Sequence, residues 1–240
     1  MEIPIIKEIS VFFPAYNEEN NLTDTITKAE KVLKETAKKW EIIIVNDGSK
    51  DNTPKIANKL AKKNNNIKVI NHPHNRGYGA ALKSGLYGSR YDLICFTDSD
   101  GQFDFKEISR LYEKLLSSKS DLVIGYYLNR QVPIYRIWGS YVWQLAVFIL
   151  FGLKVKDIDC GFKLLKKKVI DTIPRLDSER GPFISSEFLI KAKKAGFKIT
   201  QLGVHHFPRK SGEATGVKLN VILSGLLDLL RLWFKINFSK

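Results

Sequence analysis

The sequence predicts an α/β domain, a mostly parallel sheet with helices on both faces. Three observations point to it. Through the first 125 residues, short β-branched and aromatic runs alternate regularly with helical patterns, and such alternation builds parallel sheets covered on both sides. Polar, Gly-punctuated segments follow the apolar runs directly, where sheets of this kind bind ligands. No internal repeat, low-complexity tract or Pro/Gly-rich linker divides the 240 residues, so one domain is expected.

In chain order, strands are expected at 9–13, 41–46, 67–70, 92–97 and 121–124, with helices at 18–37, 53–64, 78–89 and 104–118. "SKDNTPKIANKL" offers Asn52 or Thr53 as a helix N-cap and puts Pro54 in the first turn. Beyond residue 125 the pattern reads as helical and less regular. Residues 137–153, "IWGSYVWQLAVFILFGL", are 17 uncharged residues between Arg136 and Lys154, just short of a spanning helix. The C-terminal "LNVILSGLLDLLRLWFKINF" puts Leu219, Ile222, Leu223, Leu226, Leu227, Leu230, Trp233 and Phe234 on one side at helical spacing. Trp138, Trp143, Trp233, Arg136, Arg231 and Lys235 sit at the margins, as interfacial helices favour. Core packing is the alternative for each segment alone; together, beside a basic surface, they favour lying on a membrane. Asp228 and Arg231 would cost several kcal/mol inside a spanning segment.

Composition narrows the class. An apolar share of 44% with 11% aromatics excludes disorder. Cys95 and Cys160 form neither a disulfide framework nor a zinc spacing, which suits a reducing compartment. "MEIPIIKEIS" has no basic region followed by a long apolar core, so no signal peptide is expected. Of the net charge of +14, residues 121–240 carry +11, from 20 Lys+Arg against 9 Asp+Glu. A basic half fits nucleic acid, an anionic membrane surface or phosphorylated substrates, or else a merely solvated surface, notably in "KKK" at 166–168.

Four consecutive strand ends carry the polar motifs: "PAYNEE", "NDGSKDNT", "NHPHNRGYGAAL" and "DSDGQFD". In extended backbone Asp98 and Asp100 point to one face, and like charges that close call for a cation between them. A hard divalent ion with oxygen ligands meets that need, whereas a plain turn is the alternative for Asp, Ser and Gly together. Tyr16 and Glu18 leave the first strand together and could hold a base and a ribose. Asp47 could meet a uracil or guanine N–H donor. Gly77 and Gly79 allow close backbone approach, as at an anion site, but neither G-x-G-x-x-G nor a Walker loop is present. His72, His74, His205 and His206 lack a third-ligand pattern, so zinc is not expected.

"VFFPAYNEE", "IIIVNDGSKDNT", "NRGYGAALKSG", "DSDGQFD" and "DCGFKLLKK" together resemble glycosyltransferase family 2, and within it the dolichyl-phosphate mannose synthase-like branch. The resemblance covers residues 8 to about 216. It implies a glycosyltransferase A-type fold, a GDP- or UDP-hexose donor, Mg²⁺ or Mn²⁺, and a polyprenyl phosphate acceptor. Carried over by position, it puts Pro14, Tyr16, Glu18, Val45 and Asp47 around the nucleoside, with Asp98 and Ser99 completing the nucleotide-sugar set. It makes Asp98, Asp100 and Gln102 the metal and diphosphate group, and Arg130, Arg136 and Ser140 the acceptor-phosphate group. Asp100, Arg130 and Arg209 are the implied catalytic residues. Residues 1–125 would then be the donor half, 126–216 the acceptor half and 217–240 an amphipathic helix.

Two departures stand out. Tyr127 occupies a position where such members often have Arg, and "RKSGEAT" puts Ala214 and Thr215 where the pattern has Ser and Lys, with Lys210 or Lys218 as candidate substitutes. The expected reaction is inverting transfer of mannose or glucose to a polyprenyl phosphate by a peripheral protein on the cytoplasmic face of a membrane. One alternative is transfer to a hydroxyl of a glycolipid or glycan, which needs a base such as Glu187. Another is a non-catalytic basic protein binding membrane or nucleic acid. Asp47, Asp98 and Asp100 argue against that last reading, and nucleic acid is not an expected partner.

Overall fold

The computed structural model describes residues 4–128, 134–179, 181, 183–208 and 219–238, with backbone only for 134–136 and 219–224. The chain runs β1 (Ile6–Ala15), α1 (Leu22–Thr36), β2 (Ala37–Asn46), α2 (Thr53–Lys63), β3 (Ile67–Asn71), α3 (Tyr78–Gly88) and β4 (Leu93–Phe96). After a 3-10 turn at Phe105–Glu107 come α4 (Ile108–Ser117), β5 (Leu122–Tyr127), α5 (Ile134–Phe151), β6 (Lys163–Lys166), α6 (Lys168–Thr172), α7 (Phe183–Lys194), β7 (Ile199–Val204) and α8 (Leu219–Phe238).

Seven strands form one sheet in the order β3-β2-β1-β4-β6-β5-β7. All neighbours are parallel except β6, which runs antiparallel to β4 and β5. Alternate residues of β1 and β2 feed two cores. Val11, Phe13, Ile42 and Ile44 pack with Leu22, Ile26 and Leu33 of α1 and Leu111 and Leu115 of α4. Phe12, Ile43 and Val45 pack with Leu82 and Leu86 of α3, Val147 of α5, Phe188 of α7 and Leu229 and Leu232 of α8. Burial on both faces explains why these strands read as continuous apolar runs. The α/β architecture with helices on both faces stands as expected.

Three local differences have physical causes. The first helix ends at Thr36 and β2 begins at Ala37, because Trp40 is drawn into the core at the base of the sheet. β6 and β7 lie in the half that reads as helical. Within β6, Leu164 and Leu165 go to opposite cores between flanking lysines, a pattern that hides a central strand. Nor is "KKK" merely solvated: Lys166 and Lys168 reach Asp121 at 3.2 and 2.7 Å, and Lys167 donates to the Ser89 carbonyl at 2.9 Å.

Helices α5 and α8 pack together, with the Trp143 ring 3.5 Å from where a Cβ on Gly225 would stand. Their inner side chains, Val147, Phe151, Leu229 and Leu232, are buried. Trp138, Tyr141, Val142, Leu145, Phe148 and Ile149 of α5 are exposed, as are Leu226, Leu227, Leu230, Phe234 and Phe238 of α8. No described helix is long and apolar enough to cross a membrane.

Candidate active site

The carboxyl ends of β1 to β4 are laced to one another. The Asp47 amide donates to the Ala15 carbonyl and the His72 amide to the Asn46 carbonyl, both at 2.9 Å, extending the ladders past the strands. The loop after β1 lies on the loop after β2: Asn17 N–H donates to Ser49 Oγ, Glu18 N–H to Thr53 Oγ1 and Glu19 N–H to Asp51 Oδ2. Thr53 therefore spends its hydroxyl on the neighbouring loop. Asn52 is the N-cap residue of α2, without a side-chain cap bond, and Pro54 stands in the first turn. At Gly48, with φ +66°, a Cβ would come within 2.2 Å of the His74 backbone, so only glycine lets these loops touch.

Asp47 is the centre of this lacing. Its Oδ1 receives the Arg76 amide at 3.0 Å and faces His72 Nδ1 at 2.6 Å, and its Oδ2 receives the Gly77 amide at 2.8 Å. The carboxylate thus shapes the turn into α3. Tyr16 is half-buried and follows Ala15, which pairs with Asn46 just before Asp47, while Glu18 is buried and accepts from Asn21 Nδ2 at 2.7 Å. The side chains of Pro14 and Val45 are buried in the sheet.

β4 delivers the acidic turn. The Ser99 hydroxyl donates to the Pro14 carbonyl at 2.7 Å, and the Ser99 carbonyl accepts from Thr25 Oγ1, so the turn is pinned to β1 and α1. Asp100 accepts from the Gln102 amide at 3.1 Å around Gly101, whose φ is +74°. Asp98 accepts from the Tyr78 hydroxyl at 3.2 Å. Burial first, and the neighbouring Asp98 charge second, hold the Tyr78 phenol well above its ordinary pKa, so it remains a donor.

A layer beneath the turn comes from "DIDCGFK". Asp98 lies flat on Gly161, where a Cβ would stand 2.2 Å from Oδ2. Lys163 is fully buried and donates to the Cys160 carbonyl. Burial lowers the Lys163 pKa, while Cys160, Asp159, Asp157 and Asp98 pull it back. Burial pushes the Cys160 thiol up to about 12, which leaves it protonated.

The far wall is a short pairing of 102–103 with 206–207. Gln102 Nε2 donates to the Phe207 carbonyl at 2.9 Å and the Phe207 amide donates to the Gln102 carbonyl at 2.8 Å. Phe103 stacks on Tyr127 there, and His206 meets Phe103 edge-on and lies tilted against Tyr127, ring centroids 4.5 Å apart. This pairing ties the acidic turn to the segment that follows β7. Arg130 and Arg209, with Lys210, Ala214, Thr215 and Lys218, lie outside the described residues, as does the Arg136 side chain. Ser140 is half-buried on α5. Among the described residues no three of His, Cys, Asp and Glu come together as a metal-holding group.

Residues 10–173 match the family described as glycosyl transferase family 2. The chain belongs to that family. Among curated relatives of this glycosyltransferase is a dolichyl-phosphate beta-glucosyltransferase of Dictyostelium discoideum, 31% identical over 95% of this chain and 74% of the relative. Another is an undecaprenyl-phosphate 4-deoxy-4-formamido-L-arabinose transferase of Pseudomonas fluorescens, 30% identical over 92% of this chain and 63% of the relative. Among solved structures, glucosyl-3-phosphoglycerate synthase from Mycobacterium tuberculosis, in complex with Mn²⁺ and UDP-glucose, superposes with a TM-score of 0.71. It is 22% identical, covering 97% of this chain and 81% of that one, and the likeness bears out the glycosyltransferase A-type fold.

The structure thus brings Tyr16, Glu18, Asp47, Asp98, Ser99, Asp100 and Gln102 to one end of the sheet. Glu187 is elsewhere and committed: it receives the Asp177 amide, the Ser178 amide and hydroxyl, and Lys191 Nζ. Sequence reasoning missed Tyr78, Lys163 and the His72–Ser84 contact. The signals were present as an aromatic between two glycines, a lysine beginning an apolar pair, and a histidine directly after a strand.

Proposed function

We propose that this family 2 glycosyltransferase transfers a hexose, mannose or glucose, from a nucleotide sugar to a polyprenyl phosphate at a membrane surface, with inversion. One observation carries the reading: the donor-side loops and an outward-facing apolar shelf are parts of one connected unit. Lys235 of α8 pairs with Asp177 at 2.8 Å, and Trp143 of α5 donates to Ser186 of α7 at 2.9 Å. The 177–179 loop in turn meets α3, where the Ala80 amide donates to the Glu179 carbonyl at 3.0 Å. A water-soluble charged donor and a lipid-linked acceptor can therefore meet on one molecule. The relatives named for dolichyl and undecaprenyl phosphates support the same acceptor class.

The residues of the acidic turn fit a divalent cation by their chemistry. Asp98, Asp100 and the Gln102 Oε1 are hard oxygen donors, and the donor's diphosphate would supply further ligands, as suits magnesium or manganese. Mn²⁺ bound with UDP-glucose in a similarly folded enzyme supports that reading. When bound, the cation would take up the charge that develops on the departing diphosphate. Tyr78 orients Asp98 by its hydroxyl, and Ser99 fixes the turn against β1. Asp47 and Tyr16 hold the nucleoside, and Arg130, Arg136 and Arg209 steer the acceptor phosphate in line with the anomeric carbon.

A phosphate acceptor also removes the need for a base. With a second pKa of about 6, a phosphate monoester is mostly dianionic at neutral pH. Glu187, the candidate base for a hydroxyl acceptor, is held ionised by its own chain. Burial alone would raise its pKa, but Lys191, the Ser178 hydroxyl and two amides outweigh it and bring it below the ordinary value. On a cytoplasmic-face membrane, α5 and α8 would lie with their exposed apolar side chains in the interface. Incubation with UDP- and GDP-hexoses and short polyprenyl phosphates tests the proposal. A lipid-phosphate hexose product supports it, and transfer only to a glycolipid hydroxyl overturns it.

A further inference from the structure

The four histidines of the sequence have no role in the chemistry above, yet one is built into the site. The His72 ring is buried, with 7% of the residue exposed, between two polar partners. Nδ1 lies 2.6 Å from Asp47 Oδ1 and Nε2 lies 2.8 Å from Ser84 Oγ on α3. An ionised carboxylate only accepts, so the network assigns the hydrogen on that side to Nδ1; in the neutral ring Nε2 then accepts from the Ser84 hydroxyl. A strand end, a nucleoside-side carboxylate and the first turns of α3 are joined through one imidazole.

The count of acceptor positions gives the arrangement its consequence. A carboxylate offers about two lone-pair positions on each oxygen. Oδ1 of Asp47 uses both, for His72 and the Arg76 amide, and Oδ2 uses one, for the Gly77 amide. Among the described residues one position remains open, and it is on Oδ2. We propose that His72 is a positioning residue of the donor site, which fixes the Asp47 carboxylate so that Oδ2 keeps its second acceptor position for a nucleobase N–H. The inference rests on the nucleotide-sugar reading above. The backbone bonds of the loop do not need the ring, since the His72 amide already donates to Asn46 and the Arg76 and Gly77 amides already reach Asp47. The ring therefore adds orientation of a charged group, and its loss should fall on base recognition.

The test is isothermal titration of the full chain with UDP, GDP and inorganic diphosphate, each with Mn²⁺. Wild-type binding of UDP or GDP tests the nucleotide-sugar reading by itself; no binding of either sinks that reading and this inference with it. In His72→Leu, affinity for the bound nucleotide should fall about tenfold, the order expected when a charged hydrogen bond is lost. Affinity for inorganic diphosphate should stay within about twofold, because the lost contact is remote from the acidic turn. His72→Asn keeps an N–H near the Nδ1 position and should recover most of the loss. In turnover, the donor KM should rise while kcat changes little, as for loss of uniform binding. Nucleotide affinity in His72→Leu equal to wild type overturns the inference, as does an equal loss for diphosphate. If His72→Leu does not fold, Ser84→Ala decides it: a weaker nucleotide with unchanged diphosphate supports the role, and no change removes it.

Discussion

The strand-end loops and the α5/α8 shelf are built on opposite terms. At the ends of β1 to β4, side chains such as Asp47, Ser99 and Thr53 are held by amides, hydroxyls and carbonyls of neighbouring loops. On α5 and α8, large apolar side chains face outward, with Ile149 70% and Leu227 56% exposed. Both helices are apolar on two sides: the inner side completes the core, and the outer side forms a surface a water-facing helix would not carry. The difference fits the proposed meeting of two phases, water and a membrane surface. The polar end is preorganised for a charged solute, whose binding would otherwise have to order those groups. The shelf needs no such order, because an apolar interface is non-directional.

The largest effect should come from the polar end. Asp100→Ala removes a buried carboxylate from the acidic turn while leaving the β4 ladder to β1 and β6 untouched. Transfer should fall by about a thousandfold, the scale of losing one preorganised electrostatic group, with an unchanged circular dichroism spectrum. EDTA should abolish wild-type activity likewise. Full activity in excess EDTA would remove the cation from the account.

The shelf should break differently. Ile149→Glu combined with Leu227→Glu puts two charges on the outer face, away from the buried side of either helix. Burying each aliphatic side chain is worth about 1.5–3 kcal/mol, so partition onto anionic vesicles should fall at least about a hundredfold. Activity toward a short, water-soluble acceptor should stay within about twofold, since neither residue reaches the acidic turn. Wild-type protein that ignores vesicles at low salt would make the shelf a surface for something else.

The same contrast explains what could be read from sequence. β1, β2 and β4 were legible because a strand buried on both faces is written in consecutive apolar residues, and their loops because glycines and carboxylates punctuate them. β6 was not, since its first residue is a lysine, buried where it donates to the Cys160 carbonyl and where Asp159, Asp157 and Asp98 favour its charge. Tyr78 and His72 were hidden for the same reason: their partners Asp98, Asp47 and Ser84 are brought near by the fold and not by spacing. The apolar list on α8 was legible as a stripe, but Leu229 and Leu232, off that stripe, are buried, while Leu226, Leu227, Leu230 and Phe234 on it stay exposed. Sequence periodicity marks an apolar face without saying which side of it meets the protein.

The smallest effect concerns the joint between the two regions. Glu187, almost fully buried on α7, holds the 177–179 loop by its amides and the Ser178 hydroxyl and pairs with Lys191 at 2.6 Å. That loop meets α3 on one side and Lys235 of α8 on the other. Glu187→Gln keeps the shape and removes the charge, so stability at pH 7 should drop by about 1.5–3 kcal/mol, the range for hydrogen bonds to charged groups. The wild-type pKa lies below its ordinary value of 4.5 because those bonds outweigh burial. A depressed carboxylate contributes its stability above the unfolded pKa and loses it as pH falls toward the folded one. The gap between wild type and Glu187→Gln should therefore be constant above about pH 5.5, where the unfolded carboxylate is ionised, and narrow as the pH is lowered through 4.5. Urea unfolding of both proteins at pH 7 and pH 4 measures the gap directly. A gap that widens in acid would mean the neutral carboxyl is the better partner for the loop, and the joint would then be held by shape and not by charge.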